Sequence, residues 1–191
     1  KNDKREGQGT LIYSNGDKYI GEWKYDQISG EGIYSYKNGD RYDGQWKNGL
    51  IHGKGTFSNS AGDVYIGEFK NNEMSGWGNY IYKNGDTYVG EWKNDKRDGQ
   101  GTLSYINGDK YIGKWAKDKR VGNGTINFVN GNTYDGEWKN DYIEGYGTFN
   151  DSNGDIYKGE WKNEKKEGQG NYTFKNGDSY EGEWKSNIKN G

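Results

Sequence analysis

A pattern of aromatic residues and glycines returns every 23 positions along this chain, with no insertion or deletion. Tyr19, Tyr42, Tyr65, Tyr88, Tyr111, Tyr134, Tyr157 and Tyr180 occupy one place in the period. Two residues after each stands a glycine (Gly21 is the first), and two further on Trp23, Trp46, Phe69, Trp92, Trp115, Trp138, Trp161 or Trp184. Seven residues past each of these comes a Gly-x-Gly element such as Gly30-Glu31-Gly32, and Gly7-Gln8-Gly9 is the same element at the start. A period of roughly 20–50 residues marks an array in which each unit is completed by packing on its neighbours. Four glycines in each of eight units account for 32 of the 34, leaving Gly49 and the terminal Gly191, so glycine here is positional and not linker material.

Eight units of 23 make 184 of the 191 residues. The chain starts at Lys1-Asn2-Asp3, equivalent to Lys93-Asn94-Asp95, and stops at Gly191, the first glycine of a further Gly-x-Gly. Residues 1–191 therefore read as one tandem array cut within a repeat at both ends, a fragment of a longer protein.

With 28% hydrophobic residues a chain is usually too polar to fold. The 18 Tyr, 8 Trp and 5 Phe argue the other way, since large rings bury much apolar surface each. A net charge of −2 lacks the basic excess of a nucleic-acid module. Zero cysteines leave no disulfide and no thiolate zinc site, which fits a cytoplasmic location.

Seven of the eight in-frame turn glycines follow Asn, as in Asn15-Gly16 and Asn107-Gly108; the exception is Ala61-Gly62. Asn-Gly between two β-rich runs is a strong hairpin signal, so each unit is two strands, about sixteen in all. Side-chain parity chooses the loop. A two-residue loop would put Leu103 and Tyr111 on opposite faces, whereas a three-residue loop ending in left-handed Gly108 pairs Leu103 with Tyr111 and Gly101 with Gly113. The second choice gives one aromatic and one polar face. The expected fold is all-β: an elongated single-layer antiparallel sheet of hairpin repeats, a twisted rod. Each ring is expected to stack on its homologue one repeat away, giving a length on the order of 77 Å.

The pattern Tyr-x-Gly-x-Trp followed by Gly-x-Gly, read at Tyr42 to Gly55 or Tyr88 to Gly101, resembles the MORN (membrane occupation and recognition nexus) repeat over the whole chain. The Asn-, Lys- and Tyr-rich composition is similar to that of the MORN cytoskeletal scaffolds of apicomplexan parasites. The resemblance implies a non-catalytic scaffold, a homodimer with cytoskeletal or scaffold partners, placed at the cytoskeleton or a membrane-associated structure. It also implies an alternative, a module recruited to anionic lipid through phosphoinositides. It calls for no cofactor and no nucleic acid. Members often carry Gly three residues after the Trp; here only Gly49 does, and Glu164 is the poorest substitute, so a different loop is expected there.

A residue present in every unit marks the scaffold and not a site. Asp17, Asp40, Asp63, Asp86, Asp109, Asp155 and Asp178 look like paired carboxylates but follow seven of the eight turn glycines, where Asp is a standard turn residue. The Gly-x-Gly elements precede strands and lack the helix and Lys-Ser/Thr of a phosphate loop. His52, the one histidine, reads as a solvated loop residue, with a metal role only if another chain supplies a carboxylate. Lys24, Lys47, Lys70, Lys93, Lys139, Lys162 and Lys185 form a basic row, accompanied two residues earlier by Glu22, Glu68, Glu91, Glu137, Glu160 and Glu183; lipid recognition by basic clusters lacks such compensation.

The exceptions to the period are the candidate partner contacts. Trp77 and Tyr146 take the middle of a Gly-x-Gly where other units have Gln8, Glu31, Lys54, Gln100, Asn123 or Gln169, and parity turns both away from the aromatic face. Ile28, Ile51, Met74 and Ile143 share one position, read as a loop, where other units carry Arg or Lys. The third unit departs most, with Asn59 for an aromatic, Ala61 for Asn and Phe69 for Trp, and a bend is expected there.

Overall fold

Asn-Gly turns and alternating side chains produce strands throughout the computed structural model, which describes residues 4–190; residues 1–3 and 191, on which the reading of two cut repeats rests, lie outside the described residues. No helix occurs among the described residues. The chain divides into two units, residues 1–96 and 97–191. The first holds β1 (Gly7–Ile12), β2 (Lys18–Lys24), β3 (Gln27–Ser35), β4 (Arg41–Lys47), β5 (Leu50–Ser58), β6 (Val64–Lys70), β7 (Glu73–Ile81) and β8 (Thr87–Lys93). The second holds nearly all of β9 (Lys96–Ser104), then β10 (Lys110–Ala116), β11 (Lys119–Asn127), β12 (Thr133–Lys139), β13 (Tyr142–Asn150), β14 (Ile156–Lys162), β15 (Lys165–Thr173), β16 (Ser179–Lys185) and the short β17 (Ile188–Asn190). Within each unit every strand pairs antiparallel with the next in sequence, as β1 with β2 and β9 with β10.

The Asn-Gly turns have the register that parity requires. Leu103 faces Tyr111 and Gly101 faces Gly113. The Tyr105 amide donates to the Asp109 carbonyl at 2.9 Å across a three-residue loop, which closes on Gly108 at φ +98°. The exceptional turn at Ala61 keeps this form because Asn59 supplies the missing amide: its Oδ1 accepts from the Gly62 and Asp63 amides at 2.9 Å.

The opposite hairpins are two-residue loops. Lys24 faces Gln27, and between them Tyr25 and Asp26 sit at φ 51° and 69°, both left-handed as a tight hairpin with mirror-image turn geometry demands. Glu164 adopts the same conformation at φ 64°, so the different loop expected there does not occur. What changes is the tie to the preceding repeat. Asn72 Oδ1 accepts from the Ile51 amide at 2.8 Å and Asp118 Oδ1 from the Arg97 amide at 3.0 Å, in addition to the backbone bond that all three turns make, which at Glu164 runs to the Ile143 carbonyl at 3.0 Å.

The aromatic rings do not stack homologue upon homologue. Within each unit a tyrosine stands edge-on between the Trp or Phe of its own repeat and that of the next: Tyr19 lies 5.3 Å from Trp23 at 88° and 5.6 Å from Trp46 at 82°. Tyr134 is held likewise between Trp138 and Trp161, at 5.6 and 5.4 Å. Edge-to-face contact sets the positive rim of one ring against the negative face of the next, which parallel homologues would forgo. Tyr19, Tyr42, Tyr65, Tyr88, Tyr111, Tyr134 and Tyr157 are fully buried, and every ring of the Trp/Phe position is buried too. The phenols of Tyr19, Tyr42, Tyr65, Tyr111, Tyr134 and Tyr157 each end over a glycine pair: the Tyr134 hydroxyl covers Gly136 and Gly147, which face each other across β12 and β13, and donates to the Glu137 carbonyl at 3.1 Å.

Candidate interaction surface

Past the glycine pair the long strands bulge. Gly21 faces Gly32 but Trp23 faces Ile28, so Glu22 alone stands opposite Ser29, Gly30 and Glu31. The Glu22 carboxylate fills the bulge and accepts from the Glu31 amide at 3.3 Å; Gln45, Glu137 and Glu160 do the same for the amides of Lys54, Tyr146 and Gln169 at 2.9–3.0 Å. The acidic row that accompanies the lysines thus has a structural task.

The bulge also carries the strand back over the rings, and this places the position shared by Ile28, Ile51, Met74 and Ile143. It belongs to a strand, not a loop, and it roofs the aromatic column. Ile28 and Ile51 are only 8% and 6% exposed, so presentation of these two to a partner is corrected to a core role; Met74 and Ile143 are half-buried. Where the unit has a cation instead, the side chain does the same by stacking. The Arg5, Arg97 and Arg120 guanidinium carbons lie 4.0, 4.2 and 4.2 Å from the ring centres of Trp23, Trp115 and Trp138. Sequence reasoning missed this lid; the signal was the exchange of Ile and Met with Arg and Lys, side chains that share a long apolar stem.

The turn carboxylates are bound into the scaffold. Asp17 Oδ1 accepts from the Lys37 amide at 2.8 Å, Asp40 from Ser60 at 2.7 Å and Asp155 from Lys175 at 2.9 Å, each reaching one repeat forward. Those amide bonds, with the neighbouring Asn side chains and, at Asp17 and Asp155, a tyrosine hydroxyl, hold the three carboxyls below their ordinary range. His52 is half-buried beside Glu31, Gln45 and Trp46 in a shallow groove, and no group of three or more His, Asp or Glu residues able to hold a metal ion occurs among the described residues.

Burial raises the column phenols, those of Tyr19, Tyr111 and Tyr157 to about 12. A tyrosine whose folded value exceeds its unfolded value of about 10 stabilises the fold below that pH, and the contribution is lost as pH rises toward the folded value. Cooperative alkaline unfolding is therefore expected between about pH 10 and pH 12. Tyrosinate absorbance should rise together with loss of the near-ultraviolet circular dichroism. Full ionisation near pH 10 with the fold intact would contradict the buried column.

On the face opposite the rings, side chains line up in rows across the strands. In the first unit one row runs Thr10, Ile20, Ile33, Asp43, Thr56, Ile66, Asn79, Val89, each facing the next. Trp77 stands in the adjacent row opposite Glu91 and is 54% exposed. Tyr146, opposite Glu160 in the second unit, is 50% exposed. Beside Trp77 lies an open groove of about 440 Å³, lined by Glu31, Asp43, Lys54, Ile66 and Glu68 over a floor that includes Gly44, Gly55 and Gly67. A smaller one, about 280 Å³, lies beside Tyr146 with Lys158, Glu160 and Glu181 on its walls.

A model of the MORN repeat matches the chain nine times in succession, at residues 1–18, 19–41, 42–64, 65–87, 88–110, 111–133, 134–156, 157–179 and 180–191. Among solved structures the chain is similar to the TCP10 domain of CPAP from Danio rerio in complex with a peptide of Danio rerio STIL. The TM-score is 0.51 at 9% identity, covering 93% of this chain and 84% of that one. It is also similar to the TCP domain of SAS-4 from Drosophila melanogaster in complex with a proline-rich motif of Ana2, at a TM-score of 0.48, 14% identity, and coverage of 91% and 88%. No curated protein matches the sequence. At these identities the likeness is one of fold.

Proposed function

The chain belongs to the MORN-repeat family, and from that premise we propose that it is a non-catalytic scaffold that binds protein partners, a second copy of itself included, through the face opposite its aromatic column. One observation carries the reading. Trp77 and Tyr146 expose large rings at a position where the other units hold Gln, Glu, Lys or Asn. Aromatic anchors with a polar surround are the usual centre of a protein interface. The TCP10 domain, similar in fold, holds a peptide of another protein, which agrees with this use of such a sheet. Cytoskeletal or membrane-adjacent assembly is the setting proposed for the scaffold.

The test is Trp77→Ala with Tyr146→Ala. Both rings are half-exposed, so the melting temperature should hardly move, within the roughly 0.5 kcal/mol usual for surface changes. Affinity capture followed by mass spectrometry should lose partners relative to wild type, and sedimentation should shift toward monomer. An unchanged set of captured proteins together with unchanged sedimentation would overturn the proposal. The alternative, recruitment to anionic lipid, draws on the exposed row Lys24, Lys47, Lys70 and Lys93. Salt-sensitive binding of the wild-type chain to phosphoinositide vesicles, unaffected by the two substitutions, would favour that reading.

A further inference from the structure

Three times this fold assembles the same trio of side chains. Arg5 lies over the Trp23 ring and its Nε is 3.2 Å from Asp26 Oδ1; Arg97 over Trp115 pairs with Asp118 at 3.2 Å; Arg120 over Trp138 pairs with Asp141 at 3.4 Å. The reason is general. A guanidinium is flat, weakly hydrated and forked, so it stacks on an indole while its edge meets a carboxylate.

On the opposite face of the first unit, the groove beside Trp77 holds the indole and the carboxylates but no arginine among its lining residues. Glu31, Asp43 and Glu68 line it against the single cation Lys54. Its floor is bare backbone, because Gly44 faces Gly55 and Gly55 faces Gly67 on three successive strands. Two strand spacings give that floor a run of about 10 Å, room for one extended side chain. Asp43 forms one wall with Thr56 and Ile66, and interrupts with charge a row otherwise of Thr, Ile, Val and Asn. It is bonded to Arg41 at 2.8 Å, but both are about half exposed, and an exposed pair of this kind is held weakly enough to exchange.

We propose that the groove beside Trp77 docks an arginine side chain carried on a basic segment of a partner protein, the guanidinium stacking on the indole and turning its edge to Asp43 and Glu31. This rests on the reading of the chain as a binder of protein partners and names the chemistry that one of them presents. The groove at Tyr146 is the weaker site: two carboxylates, Glu160 and Glu181, stand there against Lys158, where three stand against Lys54 beside Trp77, and the phenol ring is the weaker cation platform, so it serves as an internal control.

The experiment uses the 191-residue chain labelled with ¹⁵N, following the Trp77 indole N–H signal, assigned by its disappearance in Trp77→Phe. The probe is a capped peptide Gly-Ile-Arg-Val-Arg-Gly, with one version carrying Lys and one carrying citrulline in place of both Arg. The arginine peptide is expected to shift the Trp77 signal saturably, to bind roughly threefold to tenfold more tightly than the lysine version, and to lose all saturable shift as citrulline. Asp43→Asn and Glu31→Gln, which keep shape and remove charge, should each weaken binding roughly threefold or more. Tyr146→Ala should leave it unchanged. Equal shifts from the citrulline peptide, or none at millimolar peptide, overturn the assignment. So does a shift produced by phosphoinositide vesicles in the absence of any from peptide. If capture of partners still depends on Trp77 while the arginine peptide fails, the scaffold reading stands and the arginine site falls.

Discussion

Gly136→Ala is expected to destabilise the protein by about 3 kcal/mol or more, at the upper end of what overpacking a rigid site costs. A Cβ built on Gly136 would lie 2.5 Å from the Gly147 Cα and would strike the Tyr134 hydroxyl. The first neighbour is backbone of the paired strand and has nowhere to go. The second is the end of a fully buried ring, edge-packed against Trp138 and Trp161. Adding Tyr134→Phe removes only the hydroxyl clash, so the double variant should recover part of the loss and no more. Gly49→Asn is the contrasting change. Gly49 sits at φ +79° with open space around its Cα, and Asn72 and Asn187 hold the equivalent place at 73° and 72°. It should stay within about 0.5 kcal/mol of wild type. Thermal and urea midpoints measure both, with the urea slope checked because arrays need not unfold in one step. Equal midpoints for Gly136→Ala and Gly49→Asn would refute the packing of phenol on glycine.

Trp138→Ala is expected to cost about 3–5 kcal/mol, as truncation of a buried ring does. The indole touches Tyr134 and Tyr111 edge-on, Arg120 covers its face, and Nε1 donates to the Gly124 carbonyl at 2.9 Å. Loss of the ring would leave the Arg120 lid and two tyrosine edges without their common support. Trp138→Phe separates the terms. Phe69 fills this place natively, packed between Tyr65 and Tyr42 at 5.0 and 5.2 Å, so the shape is tolerated and about 1 kcal/mol for the hydrogen bond is the main loss. Trp92→Phe should cost less still, because the buried Trp92 Nε1 has no hydrogen-bond partner. A loss under about 1 kcal/mol for Trp138→Ala, the size of a surface change, would mean the rings are not the core.

The register of the Asn-Gly hairpins is legible in the residues alone, because parity and a one-sided sheet admit only the pairing of Leu103 with Tyr111. The aromatic face followed from the same alternation. Three features were not readable. The bulge at Gly30 leaves no mark in a period-two reading, since an added pair of residues restores the alternation beyond it. The direction in which Tyr19 leans depends on ring electrostatics and on the glycine floor together, so a count of strand spacings set homologue on homologue. The role of Ile28 and Arg97 as one lid depends on chain returning over the rings, which the bulge causes. Trp77 was legible as an exception to its row, but the carboxylates that share its groove come from three other strands, and only the sheet registers bring them together.

The links between successive turns reach forward by one unit: Asp17 to Lys37, Asp40 to Ser60, Asn132 to Ser152, with none spanning two units among the described hydrogen bonds. Each turn therefore meets an identical host whichever copy of the module follows it. Duplicating or excising a whole stretch of 23 codons remakes each such bond at the seam, whereas a lone inserted codon turns the downstream pleat inside out. Copy number is thus the coordinate along which a lineage can vary a molecule of this kind without rebuilding it.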